Sequence, residues 1–320
     1  MRAFHIPTNN APAAVHDIPR PEPLPGEVRV KIAACGLNFA DLLMLEGKYQ
    51  EIPEAPFTLG LEAAGIVDAI GDGAKAPPIG TRVAVFNGHG GLAEYGCFPA
   101  ICVVELPDSM SFTEAAAFQI AYGTGHVALD YKARLQPGET LLVLGAAGGV
   151  GLAAVEIGKH MGARVIACAR GKEKLAIAAK AGADHLIDAS SGDIMAECKA
   201  LGGVDVVYDP VGGDQFRAAF RACRPDARIL CIGFASGSVP RIPANHLLVK
   251  NISVIGFYWG AYPRFKPQVV TESLATLLDW HSQGHIAPHI SHVLPLDDVH
   301  EALDLLRSRK STGKVVVTTG

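Results

Sequence analysis

The stretch Leu141-Leu142-Val143-Leu144-Gly145-Ala146-Ala147-Gly148-Gly149-Val150-Gly151 constrains this chain more than any other. An apolar run ends in a glycine-rich turn, and an apolar helix through Lys159 begins directly after it. Read from Ala146, the turn is A-x-G-x-x-G, a dinucleotide-binding fingerprint with alanine in place of its first glycine. Gly148 lets the backbone approach a pyrophosphate, and Gly151 allows close packing of helix on strand. The helix N-terminus offers unpaired N–H groups to the anion. Ala147, Gly148, Gly149 and Val150 are therefore the expected contacts of a dinucleotide. A tight turn without a ligand is the plain alternative, and the strand before it and the helix after it argue against that.

The flanking sequence repeats the same grammar. Thr140 to Leu144, Arg164 to Ala169, His185 to Asp188, Val204 to Asp209 and Arg228 to Gly233 read as strands. Helical stretches separate them, such as Lys172 to Ala181, which stops at Gly182. Strands apolar throughout and spaced by helices indicate a parallel sheet covered on both faces, a doubly wound Rossmann domain. Before residue 111 the pattern is different. Val28-Arg29-Val30-Lys31-Ile32 alternates with period two, as a half-buried strand should, and turns such as Gly71-Asp72-Gly73 punctuate the rest. Ser111-Phe112-Thr113-Glu114 has capping-box spacing and predicts a helix over Ala115 to Ala121. After residue 256 the pattern changes again, closing with a helix over Asp297 to Ser308 and a strand over Lys314 to Thr318. The fold class is α/β, a β-rich domain (residues 1–120 and 257–320) interrupted by a doubly wound insertion (residues 121–256).

The second strand of that insertion decides which dinucleotide is expected. Enzymes that use NAD place an acid there, on the ribose 2′-hydroxyl. This chain reads Ala167-Cys168-Ala169-Arg170-Gly171-Lys172-Glu173-Lys174, with no acid at the strand end and three bases around it. Arg170 and Lys174 suit a 2′-phosphate, so NADP(H) is the expected cofactor, with Glu173 turned away; an ordinary solvated loop is the alternative.

Composition excludes other classes. Hydrophobic residues make up 49% of the 320 and charged residues 19%, enough for sizeable cores and too little charge for disorder. The net charge is −4, from 28 basic and 32 acidic residues without a basic run, so no nucleic-acid partner is expected. No apolar stretch approaches the roughly 20 residues of a membrane span, and residues 1–15 lack a signal pattern. Seven scattered cysteines with no C-x-x-C pair fit a reducing, cytoplasmic location.

The chain resembles the zinc-independent quinone oxidoreductase (zeta-crystallin-like) branch of the medium-chain dehydrogenase/reductase superfamily over nearly its whole length. The matching segments are Gly36-Leu37-Asn38-Phe39-Ala40-Asp41, Gly47-Lys48-Tyr49, Gly60-Leu61-Glu62-Ala63-Ala64-Gly65, Gly123-Thr124, the glycine turn, Asp209-Pro210-Val211-Gly212-Gly213 and Gly313-Lys314-Val315. The resemblance implies a GroES-like catalytic domain, a Rossmann domain, a cleft between them and a homodimer. Zinc-dependent relatives carry a cysteine, a Gly-His-Glu and a third ligand. Here Cys35 remains, but Leu61 stands at the histidine position and has no lone pair to give, so no metal is expected. Cys35 is then a packed small residue, and His89 a solvated loop histidine.

By the same resemblance Asn38, Asp41 and Tyr49 line the catalytic cleft. In related enoyl-thioester reductases the tyrosine at this place is assigned as proton donor. Tyr49 is expected to donate a hydrogen bond or proton to the substrate oxygen, Asn38 to orient substrate, and Asp41 to hold the loop. Thr124, Val211, Gly233, Phe234, Phe257, Trp259 and Lys314 are expected beside the cofactor. For Phe257 and Trp259 a core or subunit contact is an equal alternative, and for Lys314 a strand-edge charge. One departure concerns the adenosine phosphate: some relatives place a tyrosine after the strand Leu186-Ile187-Asp188, where this chain has Ala189.

A metal-free site suits acceptors whose conjugation spreads the developing negative charge. The expected function is NADPH-dependent hydride transfer to a quinone or an α,β-unsaturated carbonyl, a small-molecule electron acceptor. An enoyl-CoA reductase is one alternative, with Arg264 and Lys266 as cations for the CoA phosphates. A non-catalytic protein that binds NADPH or nucleic acid is the other.

Overall fold

The computed structural model describes residues 1–8 and 11–320. In chain order, β1 (Arg2–Ile6), β2 (Ala14–Asp17), β3 (Glu27–Leu37), α1 (Phe39–Leu45), β4 (Phe57–Thr58) and β5 (Glu62–Ile70) come first. β6 (Arg82–Phe86), β7 (Tyr95–Pro99), β8 (Val103–Glu105), α2 (Phe112–Ala116) and α3 (Gln119–His126) follow. The parallel strands are β9 (Thr140–Leu144), β10 (Arg164–Ala169), β11 (His185–Asp188), β12 (Val204–Asp209), β13 (Cys223–Cys231) and β14 (Ser253–Gly256). Around them lie α4 (Gly149–His160), α5 (Lys172–Lys180), α6 (Ile194–Ala200), α7 (Gly213–Ala222), α8 (Ala244–Lys250), α9 (Tyr262–Phe265) and α10 (Pro267–Ser282). The chain ends with β15 (Ile290–Pro295), α11 (Val299–Arg307) and β16 (Lys314–Thr318).

Two compact units result, Met1–Ile120 with Ala287–Gly320, and Ala121–Ile286. The return to the β-rich unit falls at Ala287 rather than at 257. Residues 257–286 stay with the inserted unit because their side chains pack there. A Cβ on Gly123 would lie 2.8 Å from the Trp259 ring, and His126 Nδ1 lies 2.9 Å from Ser273 Oγ.

The β-rich unit has the GroES-like architecture. Its seven-stranded sheet runs β15-β16-β3-β5-β6-β8, with β7 also on β3, and a smaller sheet runs β2-β1-β4. In β3, Val28, Val30 and Ile32 are buried and Lys31 is exposed, as alternation requires. Arg29 breaks the pattern at 6% exposure. Its Nε donates to Asp68 Oδ2 at 2.6 Å, and its Nη1 reaches Glu22 at 2.7 Å and Pro21 O at 3.0 Å, so the buried guanidinium is paired. The helix expected over Ala115 to Ala121 is two helices. Ser111 and Glu114 cap α2 reciprocally, and that helix ends at Ala117, whose N–H is shared between Thr113 O and Glu114 O. Helix α2 rests on β3 at Gly36, where a Cβ would sit 1.9 Å from Ala116 O.

The inserted unit is a Rossmann domain with strand order β11-β10-β9-β12-β13-β14. Leu142, Ile166, Val207 and Ile229 bury one face, and Leu141, Val143, Val165 and Val206 bury the other. Strands covered on both faces explain the continuous apolar runs. The sixth strand, β14, escapes the sequence reading because none of its four residues is fully buried. Strand β13 begins five residues before the expected Arg228, and a turn of 3₁₀ helix, Leu296–Asp298, precedes α11. Among the described residues, no helix is long and apolar enough to cross a membrane.

Candidate active site

Each unit brings one group of chemically active side chains. In the β-rich unit, β3 runs into α1 through Asn38, which is extended at φ −129° and ψ 156°. Its backbone N–H donates to Asp41 Oδ2 at 2.8 Å, so Asp41 closes the first turn of the helix. The Asn38 amide faces elsewhere. Its Nδ2 donates to Gly36 O at 3.1 Å and to Glu62 Oε1 at 2.9 Å, while its Oδ1 accepts from Lys314 Nζ at 2.7 Å. Lys314 Nζ also donates to Glu62 Oε1 at 2.8 Å, and Glu62 Oε2 accepts from the Ile120 N–H at 2.9 Å.

Glu62 is 1% and Lys314 4% exposed, so this is a buried ion pair, not a strand-edge charge. Three further hydrogen bonds, from Asn38 Nδ2 and the Ile120 N–H to Glu62 and from Lys314 to Asn38 Oδ1, surround it, the condition under which such a pair is tolerated. Because both Asn38 N–H donors point inward, the amide has only an acceptor lone pair left to offer. Lys314 retains one N–H without a partner among the described residues. Asp41 is fully buried, and desolvation, opposed by the Asn38 N–H and by Lys314, raises its pKa to about 7. Tyr49 follows α1 and rests half-buried against the apolar cluster of Leu37, Leu42 and Phe57.

In the Rossmann unit the glycine turn is built by close approach. Gly145 has φ +59°, and Gly148, the N-cap of α4, donates its N–H to Gly145 O at 3.0 Å. A Cβ on Gly151 would lie 2.3 Å from Gly145 O, so helix and turn meet only through glycine there. At Gly148 an added Cβ would have no neighbour nearer than 3.4 Å, which leaves its outer side open. Ala147 is 3% exposed, and Gly149 and Val150 open α4. The residues present thus fit a dinucleotide pyrophosphate: an open glycine face at the N-terminus of a twelve-residue helix.

Other expected cofactor residues gather at the carboxyl ends of the same strands, where open α/β sheets bind ligands. Arg170 and Lys174 follow β10, Val211 follows β12, Gly233 and Phe234 follow β13, and Phe257 follows β14. Val211 lies 3.0 Å from where a Gly145 Cβ would be. Its loop is held by Asp209, whose Oδ1 accepts from the N–H groups of Val211 and Gly212 at 2.7 and 2.8 Å. Arg170 is exposed and has no partner among the described residues. Phe234 is 41% exposed, whereas Phe257 and Trp259 are 8% and 4% exposed and pack within the unit. Thr124 is buried on α3.

These two groups on this pair of folds define an oxidoreductase of the medium-chain dehydrogenase type. Residues 24–108 match the family described as alcohol dehydrogenase GroES-like domain, and residues 149–277 match that described as zinc-binding dehydrogenase. The quinone oxidoreductase-like protein 2 homolog of Nematostella vectensis is 44% identical over 92% of this chain and 82% of its own length. The quinone oxidoreductase of Thermus thermophilus, solved also in complex with NADPH, superposes with a TM-score of 0.87 at 33% identity, covering all of both chains. A mycobacterial protein complexed with NADPH gives 0.93 at 30% identity, again over all of both chains. The chain belongs to the zinc-independent quinone oxidoreductase branch of the medium-chain dehydrogenase/reductase superfamily.

A zinc ion, which the second family description implies, does not fit the side chains present. Leu61 is buried among Leu59 and Leu92, and Cys35 shares that apolar cluster. Burial pushes the Cys35 thiol well above its ordinary pKa. Glu62 is taken by the Lys314 ammonium. Among the described residues no group of three or more His, Cys, Asp or Glu is placed to hold an ion. His89 is half-buried rather than solvated, and burial lowers its pKa.

Sequence reasoning missed Glu62 and Asp209. The available signal was an acid set within or at the end of an apolar strand, where only pairing makes it tolerable.

The state of Asp41 has a measurable consequence. Its folded pKa of about 7 lies above its ordinary value, so the folded chain holds a proton that the unfolded chain releases. Its contribution to stability is therefore greatest below about pH 4 and is lost as pH rises towards 7, by about 4 kcal/mol at most. Asp41→Asn keeps an acceptor for the Asn38 N–H and removes the titration. In urea unfolding the stability gain of this variant over the parent should grow between pH 5 and pH 7.5. A gain independent of pH would contradict the assignment.

Proposed function

We propose that this protein is an NADPH-dependent reductase that delivers hydride, without a metal, to a quinone or an α,β-unsaturated carbonyl. The observation that carries the reading is the Lys314–Glu62–Asn38 cluster, an organised polar site in which Leu61 replaces a metal-binding histidine. NADPH, when bound, supplies the hydride. Gly148 and the first turn of α4 would hold its pyrophosphate, and Arg170 and Lys174 its 2′-phosphate. The NADPH complexes of two close structural relatives support that choice.

The remaining work falls to the β-rich unit. Asn38, its amide fixed by Lys314 and Glu62, accepts a hydrogen bond from the substrate and so orients it. Lys314, neutralised by Glu62, has one N–H left to donate as negative charge develops on the acceptor oxygen. Tyr49 donates a hydrogen bond or proton to that oxygen, and Asp41 fixes the turn that carries Asn38. Thr124, Val211, Gly233, Phe234, Phe257 and Trp259 are assigned to the cofactor side. Free cysteines throughout support a reducing, cytoplasmic setting. For an enoyl-CoA substrate the proposed cation Lys266 is already bonded to Tyr131 Oη at 2.6 Å, which favours the smaller acceptors.

NADPH oxidation should be followed with benzoquinone, a naphthoquinone, a simple enone and a short enoyl-CoA. Turnover with a quinone or the enone is expected; turnover with the thioester alone would transfer the assignment to enoyl-CoA reduction. Arg170→Asp should raise the KM for NADPH at least tenfold, by about 1.5–3 kcal/mol for a lost charge-assisted bond, and narrow its advantage over NADH. An unchanged preference would remove Arg170 from the phosphate site.

We also propose a homodimer formed through the β14 edge. Among the described residues that strand pairs only with β13, and α8, just before it in the chain, exposes Leu248 at 79% and Val249 at 78%. A two-fold axis would pair β14 with its own copy and cover these side chains. Sedimentation should give a dimer, and Leu248→Asp with Val249→Asp a folded monomer; a parent that sediments as a monomer would reject the interface.

A further inference from the structure

The acid absent from the end of β10 has a counterpart one strand away. Ala169 ends β10, Asp188 ends β11, and the two are register partners in the parallel pair. The Ala189 N–H donates to Ala169 O at 2.9 Å, which holds the two strand ends together. The Asp188 side chain leans back over the β10 turn. Its Oδ1 accepts from the Gly171 N–H at 3.1 Å, from the Ser190 N–H at 2.9 Å and from the Ser190 hydroxyl. Gly171 has φ +80°, a conformation that favours glycine.

The other carboxylate oxygen, Oδ2, has no hydrogen-bond partner among the described residues, and no ion pair joins Asp188 to Arg170 or Lys172. The bonds from Ser190 and Gly171 hold its pKa below the ordinary carboxylate range, so it is ionised at neutral pH. The turn after β10 therefore presents two opposed recognition elements. Arg170 and Lys172 are exposed cations suited to a phosphate, and Asp188 is an anchored acceptor suited to a hydroxyl.

We propose that Asp188 sets cofactor selectivity: its free carboxylate oxygen accepts from the ribose 2′-hydroxyl of the unphosphorylated dinucleotide, so the enzyme takes NADH as well as NADPH. The acid that NAD enzymes carry at the end of this strand is supplied here from the neighbouring one, beside cations that serve the phosphorylated form. A 2′-phosphate offers this carboxylate no proton at neutral pH and is repelled by it, so Asp188 restrains NADPH preference while Arg170 promotes it. The inference rests on the reading that the Rossmann unit binds a nicotinamide dinucleotide.

Calorimetric dissociation constants for NADPH and NADH, measured on the parent and on Asp188→Asn, test it. Asparagine keeps the Oδ1 acceptor for Gly171 and Ser190 and removes the charge, and unchanged urea unfolding of the half-buried variant will show that it is folded. The NADH constant is expected to rise about tenfold while that for NADPH stays level or falls. Equal changes for both dinucleotides, or no change in either, would overturn the assignment. So would a parent that binds NADPH but not NADH, an outcome that leaves the cofactor reading intact. A parent that binds neither would remove that reading and the inference with it.

Discussion

The buried Glu62–Lys314 ion pair organises the β-rich unit. Glu62 opens β5 and Lys314 opens β16, so the contact joins segments 252 residues apart in sequence and fixes where the returning C-terminal strand docks. Strand β16 pairs antiparallel with β3 from Val315 to Thr318, and β3 pairs with β5, which brings all three strands to one corner. Removing one partner from such a pair costs about 3–5 kcal/mol because the other charge is left buried. The same pair fixes the amide of Asn38, so the chemistry offered by the cluster depends on it as much as the fold does. Structure and function share these atoms, and a substitution there alters both.

The Rossmann unit meets a different requirement, the close approach of backbone to an anion. Its solution is steric. Gly145, Gly148 and Gly151 remove side chains from one face of a turn, and Asp209 pins the neighbouring loop by accepting two backbone N–H groups. Burial raises the Asp209 pKa, and the two N–H groups oppose that shift. Sheet order then places these loops side by side: β9 and β12 are adjacent although β10 and β11 come between them in sequence. Ligand-binding loops at the strand ends follow from this order without any further device.

Much of this was legible in the sequence, and the parts that were not share a cause. The bounds of β9, β10, β12 and β16 coincide with those expected, because their buried apolar runs declare them; those of the edge strand β11 coincide as well, although of its four residues only Ile187 is buried. The glycine turn was visible because its constraint is local. Strand β14 was not, being short and half exposed, and neither was the burial of Arg29, which depends on Asp68 arriving from β5. The place where the chain rejoins the β-rich unit was misjudged by thirty residues because Trp259 and Ser273 declare their partners, Gly123 and His126, only in three dimensions. Lys314 reads equally as a cofactor contact or a strand-edge charge until Glu62 is found opposite it.

Helix α3 shows how a hydroxyl can be aimed by omission. Gly123 lies against the Trp259 ring, and a Cβ on Gly125 would come within 2.9 Å of Ile157 in α4. Successive residues on a helix turn by about 100°, so these two glycines occupy nearly opposite flanks and Thr124 projects roughly at right angles to both. With an indole wedged on one flank and an isoleucine on the other, the helix has little freedom to roll about its axis. The bearing of the threonine side chain is thus inherited from its neighbours, and drift at Trp259 or Ile157 would register as a rotation of that hydroxyl.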